Sequence, residues 1–165
     1  MNTLSIRFTY FIGFLLIAVL LGMAAYLEVY EGINPCPLCV LQRIVLIALG
    51  VIFFFAMVLK SNKIGQWIFG SMATLISLGG ILLSGRQVWL QHMPQNGMGE
   101  CGISLQYIFK IFPFTEAIQH VWKGGIECSQ HDWEFLRLSL AEWSFIWFIV
   151  FFILSLVQLK RLARE

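Results

Sequence analysis

The stretch NPCPLCVLQRIVLIALGVIFFFAMVLK, residues 34–60, holds two cysteines with two residues between them, a proline before each, and an arginine four residues after the second. No further charge appears until Lys60. About 20 mostly apolar residues cross the hydrocarbon of a bilayer. The run after Arg43 falls slightly short alone and becomes long enough when its helix begins at the cysteines. The thiol pair therefore stands at the mouth of a membrane helix, with a cation one turn deeper.

Working outward, the rest of the chain repeats the pattern. Of 165 residues, 59% are hydrophobic and 12% charged, against roughly 45–50% apolar and 25% charged in soluble domains. Charge is also missing from 8–27, 64–85 and 143–159. The expectation is a single all-α membrane domain over 1–165, a bundle of four transmembrane helices near 8–28, 39–59, 65–90 and 143–160. Two extracytoplasmic loops, about 29–38 and 91–142, join them, the second long and carrying short interfacial helices. The small residues Met23-Ala24-Ala25 resemble a signal-peptide processing site. The apolar run before them, however, exceeds the roughly 7–15 residues of a signal core.

Orientation follows from lysine and arginine in the short connections. Arg7 precedes the first helix, Lys60 and Lys63 join the second to the third, and Lys160, Arg161 and Arg164 follow the fourth. The other side is acidic: Glu28 and Glu31 occupy its short loop, and six acids face Lys110, Lys123 and Arg137 in the long one. Both termini are expected in the cytoplasm. The net charge of +2 gives no nucleic-acid signal, because the basic residues lie along a membrane face and not in a patch that follows phosphates.

All four cysteines fall on the outer side, Cys36 and Cys39 at the helix mouth and Cys101 and Cys128 in the long loop. Oxidising compartments permit disulfides and the cytosol generally does not. An even number confined to one side points to redox use or stapling, with three pairings open. A C-x-x-C pair closes only a very small ring, which suits exchange. Pro37 suits the first turn of a helix, and the positive end of that helix favours a thiolate. Arg43, four residues after Cys39, shares its face, and a charge inside apolar membrane sequence is a functional candidate by default. The plain alternative is an arginine snorkelling to the interface.

Zinc is a rival use of the cysteines, but it expects a second closely spaced ligand pair, and Cys101 and Cys128 are far apart, with only His131 nearby. No metal site is expected. His92, His120 and His131 read most simply as loop or interface histidines, and no Ser/His/Asp spacing or phosphate-cradling glycine loop is present. GISLQYIFKIFPF at 102–114 reads as an amphipathic interfacial helix ended by Pro113. Phe135, Leu136, Leu138 and Trp143 suggest a second interfacial stretch leading back to the fourth helix.

NPCPLCVLQR at 34–43, GRQVWLQHMP at 85–94, ECGISLQYIFKIFPFTEAI at 100–118 and ECSQHDWEFLRLSLAEWS at 127–144 together closely resemble the disulfide bond formation protein B family, DsbB, over nearly the whole chain. C-x-x-C alone is a weak signal. C-x-x-C-x-x-x-R on the second helix, R-x-x-W-L-Q ending the third, and Cys128 followed by Trp133, Phe135 and Leu136 make it specific in order. The residues between Cys39 and Arg43, here Val40, Leu41 and Gln42, differ from some members and bear on quinone preference.

The resemblance implies a membrane thiol oxidase of the bacterial inner membrane that reoxidises a periplasmic, thioredoxin-fold partner like DsbA and passes two electrons to the quinone pool, ubiquinone or menaquinone. The bacterial periplasm is kept oxidising by this DsbA, DsbB and quinone relay, so the direction of electron flow comes from the resemblance. Position by position, Cys101 matches the cysteine attacked by the partner's thiolate and Cys128 its disulfide mate. Cys36 and Cys39 match the quinone-facing pair, and Arg43 the arginine that supports quinone binding. Gln91 and His92 are candidates to complete the pocket or to anchor at the interface, and Arg86 for a quinone contact or a helix tether. Physically, quinone dissolves in lipid, and a helix mouth is where it meets an aqueous thiol relay.

Two other classes compete. A reductase of the vitamin K epoxide reductase type also uses four helices and C-x-x-C, but usually carries its redox pair on the last helix. A non-enzymatic membrane protein with a disulfide-stapled loop leaves Pro37 and Arg43 without purpose.

Overall fold

The structure, a computed structural model, describes residues 3–30, 36–59, 63–92, 134–135 and 137–163. Four long helices dominate: α1 (Thr3–Tyr30), α2 (Pro37–Val58), α3 (Lys63–His92) and α4 (Leu140–Ala163). All four are long and apolar enough to cross a membrane. The two-residue strands β1 (Glu134–Phe135) and β2 (Leu138–Ser139) pair antiparallel just before α4, Glu134 opposite Ser139 and Phe135 opposite Leu138. Arg137 takes a φ of 65° at their turn. The stretch leading to the fourth helix is thus a small hairpin at its end.

The helices extend beyond the charge-free stretches at most of their ends. Arg7, Glu28, Arg43, Arg86 and Glu142 lie inside helices. Absence of charge marks the lipid-immersed part of a helix, whereas backbone hydrogen bonding carries the helix on through the headgroup region, where long side chains reach water. The fourth helix accordingly begins at Leu140, three residues before its apolar run.

Neighbours in sequence are neighbours in space: α1 packs on α2, α2 on α3, and α3 most extensively on α4. Tyr10, Phe53 and Phe151 connect α1, α2 and α4 through the middle, with ring centroids 5.6 Å apart for the first pair and 6.2 Å for the second. Large apolar side chains cover the outside, among them Phe8, Val19, Ile44, Leu75 and Leu82. A surface of this kind is solvated by acyl chains. Trp67 and Trp89, exposed near opposite ends of α3, sit where aromatic residues anchor a helix at the two interfaces.

Lipid tails are as apolar as leucine, so helix association in a membrane depends on close packing and on hydrogen bonds between helices. The seam of α3 is made of small residues, Ala73, Ser77, Gly80 and Ser84, all buried. At Gly80 a Cβ would stand 2.2 Å from Cδ1 of Phe148, so only glycine lets the α4 ring lie against the α3 backbone. The seam hydroxyls are satisfied locally: Ser77 Oγ donates to the Ala73 carbonyl and Ser84 Oγ to that of Gly80, both at 2.7 Å. Thr74 Oγ1 donates across to Ser155 Oγ on α4 at 3.0 Å.

Candidate functional site

The dithiol is built by the start of α2. Cys36 is the N-cap, with extended φ and ψ of −65° and 158°, and its sulfur accepts the backbone N–H of Cys39 at 3.3 Å. A thiol here does what a serine hydroxyl usually does at an N-cap, satisfying one of the donors that a helix start leaves open. The Cys36 carbonyl accepts from Val40 N–H at 3.1 Å and closes the first turn. Proline follows at the first helical position, as expected where no amide hydrogen is needed. The turn brings the two sulfurs to 2.8 Å.

Cys36 is buried and Cys39 half-buried. Around them stand Leu38 and Leu41 of α2 and Leu83 and Leu90 of α3. The less buried residue of the pair is thus Cys39, among apolar side chains in the first turn of α2.

Arg43 is the cation one turn deeper, and its guanidinium reaches α1. Nη1 is bonded to Glu28 Oε2 and Nη2 donates to the Ala24 carbonyl at 3.3 Å. An amide on α3 reaches the sulfurs: Gln87 Nε2 donates to Cys39 Sγ at 3.1 Å and to Cys36 Sγ at 3.5 Å. Gln42, on α2 beside Arg43, donates from Nε2 to Gln87 Oε1 at 2.7 Å.

Gln91, one turn after Gln87, accepts from Ser139 Oγ at 2.8 Å. His92 hydrogen-bonds the Val88 carbonyl through Nδ1 at 2.9 Å and points Nε2 at Glu142 Oε1, 3.8 Å away. Ser139 and Glu142 form a capping box: Glu142 Oε2 accepts the Ser139 N–H at 2.7 Å, and Ser139 Oγ accepts the Glu142 N–H at 3.3 Å. Gln91 and His92 thereby join the end of α3 to the start of α4. Arg86, half-buried, neighbours Gln87 in sequence. Cys101, Cys128 and the 102–114 segment lie outside the described residues, and no cluster of three or more metal-ligating side chains occurs among those that are described.

Glu28, Gln42 and Gln87 were not legible as site residues from motif spacing alone, although a signal for the glutamines exists. Gln87 continues the buried α3 seam at helical spacing, after Ala73, Ser77, Gly80 and Ser84. Gln42 sits in the buried row of α2 between Leu38 and Leu46. Two amides on facing seams of adjacent membrane helices are expected to find each other.

A bundle of four membrane-crossing helices with a dithiol capping one of them defines a membrane redox protein. The family model for disulfide bond formation protein DsbB matches residues 6–158, and the chain belongs to that family. Its disulfide bond formation protein B relatives include that of Nitrosococcus oceani, 35% identical over 96% of this chain and 94% of the relative. That of Methylococcus capsulatus is 37% identical over 93% and 94%, and protein B 1 of Pseudomonas aeruginosa 36% identical over 96% and 98%. The chain is accordingly a multi-pass bacterial membrane protein of disulfide formation, a disulfide-forming oxidoreductase.

Proposed function

We propose that this protein reoxidises a periplasmic thioredoxin-fold oxidase of the DsbA kind and delivers the two electrons to a membrane quinone, ubiquinone or menaquinone. The observation that carries this reading is the helix-mouth dithiol: Cys39 half-buried among leucines in the first turn of an apolar helix, and Cys36 buried beside it. Support for the orientation, both termini cytoplasmic and the cysteines periplasmic, comes from the lysines and arginines gathered around the other ends of the helices.

In this relay a thiolate of the reduced partner attacks Cys101 of a Cys101–Cys128 disulfide, forming a mixed disulfide and releasing Cys128. The partner's second thiol displaces Cys101 and leaves with its own disulfide. Cys128 attacks Cys36 of an oxidised Cys36–Cys39 pair and releases Cys39 as a thiolate, and attack by Cys101 on Cys128 restores the loop disulfide and leaves Cys36 and Cys39 reduced. One partner disulfide has then formed, and two electrons rest on the pair.

The residues at the helix mouth fit a quinone: an apolar collar suits its ring, and a guanidinium suits a carbonyl oxygen. Cys39 and Arg43 would hold it, with Gln91, His92 and Arg86 as candidates for the rim. When bound, the quinone supplies acceptance of two electrons and two protons. Cys39 would face the bound ring, and Cys36, 2.8 Å from it, is placed to close the disulfide. Arg43, with five N–H groups and two of its nitrogens engaged on α1, has donors left for an oxygen that gains negative charge.

Purified protein mixed with reduced partner and a soluble quinone should form quinol and partner disulfide in equal amounts. Partner oxidation without quinol, or quinol formation from small thiols alone, overturns the reading. An inert mixture overturns it also.

A further inference from the structure

We propose that Gln87 is a catalytic residue of the dithiol, holding the Cys39 sulfur as a thiolate through its amide N–H groups, and that Gln42 is the positioning residue that keeps those N–H groups turned toward the sulfurs. This rests on the reading that Cys36 and Cys39 cycle between dithiol and disulfide.

The chemistry follows from an ambiguity of glutamine. Its side chain offers two donors at nitrogen and an acceptor at oxygen, and the two ends have opposite effects on a sulfur. Nitrogen toward the sulfur stabilises S⁻, and oxygen toward it stabilises S–H. Gln42 Nε2 occupies Gln87 Oε1 at 2.7 Å, which leaves Gln87 Nε2 for Cys39 at 3.1 Å and Cys36 at 3.5 Å. Cys36 Sγ lies 2.8 Å from Cys39 Sγ, so the one amide stands beside both sulfurs. Both amides are buried, Gln42 at 4% and Gln87 at 3% exposure. At such a place a hydrogen bond to a charged group is stronger than in water, and an unmatched amide is costly.

Two consequences follow. Thiolate at Cys39 is favoured, which speeds its reactions as a nucleophile. The reduced pair is favoured over the disulfide, because a thiolate is a better acceptor than a disulfide sulfur. That draws electrons from the outer loop toward the membrane.

The test uses the full chain with Cys101 and Cys128 replaced by serine, so that only the dithiol reacts and neither partner nor quinone is needed. In reduced protein, iodoacetamide labelling of Cys39, located by mass spectrometry, should slow about tenfold at neutral pH in Gln87→Met, which keeps volume and removes the donor. The rates should converge at strongly alkaline pH, where the thiolate forms unaided. Equilibration with dithiothreitol buffers should show the pair about tenfold harder to reduce, which corresponds to about 30 mV for a two-electron couple. Gln42→Met, which leaves the contacting side chain in place and removes only its orienting donor, should show the same changes at smaller size. A purely structural role predicts altered thermal stability with unchanged rate and potential. Wild-type rates and potential in folded Gln42→Met and Gln87→Met overturn the proposal. If Gln87→Met does not fold, Gln42→Met decides alone. Failure of quinone reduction with both thiol effects intact would count against the quinone reading instead.

Discussion

Glu28 on α1 and Arg43 on α2 form an ion pair across their helix interface, with a second guanidinium nitrogen on the Ala24 carbonyl one turn earlier in α1. The arginine that sequence spacing aligns with Cys39 is thereby held at the side of the helix mouth by the neighbouring helix. A cation fixed in this way ties two helices together, and under the proposed function it would also meet a quinone oxygen.

These two roles separate by substitution. Arg43→Leu should raise the quinone KM at least tenfold, since a hydrogen bond to a charged group contributes about 1.5–3 kcal/mol and each 1.4 kcal/mol is about tenfold. Exchange with the partner at Cys101 should persist. Glu28→Gln should lower stability by under about 1 kcal/mol, because the pair is 25% and 41% exposed and such pairs are weak. Steady-state kinetics at equal folded concentration decide the matter. An unchanged KM in Arg43→Leu would make the arginine a tether only.

Cys101 and Cys128 should be joined by a disulfide in the resting enzyme, and non-reduced peptide mapping would find the linked peptides. Cys128→Ser should trap a mixed disulfide between Cys101 and the partner, visible on a non-reducing gel, because the resolving thiol is gone. Cys101→Ser should trap none. The reverse pattern would exchange the two roles.

Gly80→Ala should destabilise the bundle by about 1–3 kcal/mol, the usual cost of overpacking a tight interface, since the new methyl carbon would lie 2.2 Å from the Phe148 ring. Phe148→Leu in the same chain should recover part of the loss by making room. Unfolding in mixed micelles measures both, and equal stability of Gly80→Ala and wild type would mean that α3 and α4 do not meet here.

Ser139→Ala should loosen the first turn of α4. It removes the N-cap hydroxyl, worth about 1 kcal/mol, and the donor to Gln91 Oε1. Faster amide hydrogen exchange at residues 140–143, with the rest of α4 unchanged, is the expected signature. No change would place the start of α4 under the control of packing alone.

Much of the architecture was legible in the sequence because hydrophobicity at this scale leaves few solutions: charge-free stretches of bilayer length must be helices in lipid. The helices run longer than the charge-free stretches because charge marks where lipid ends, and backbone hydrogen bonding continues past that point. The β1–β2 hairpin carried no clear signal, since Phe135 and Leu138 are apolar whether they lie in the interface or stand opposite each other in a hairpin.

The sequence by itself determined four membrane helices and a cysteine pair opening the second. Pro37 and the C-x-x-C spacing are local, and a helix start is decided within a few residues. What Arg43 and the glutamines touch was decided only by the tertiary structure, because spacing along one helix shows which residues share a face and says nothing of what the next helix brings to it. Arg43 shares a helical face with Cys39 in sequence, yet Glu28 and Ala24 of α1 take its guanidinium. Gln87, 48 positions from Cys39, supplies the donor to its sulfur. Its amide reaches that sulfur because Gln87 lies on the buried side of α3, and because a buried amide in lipid has only other helices from which to draw its partners.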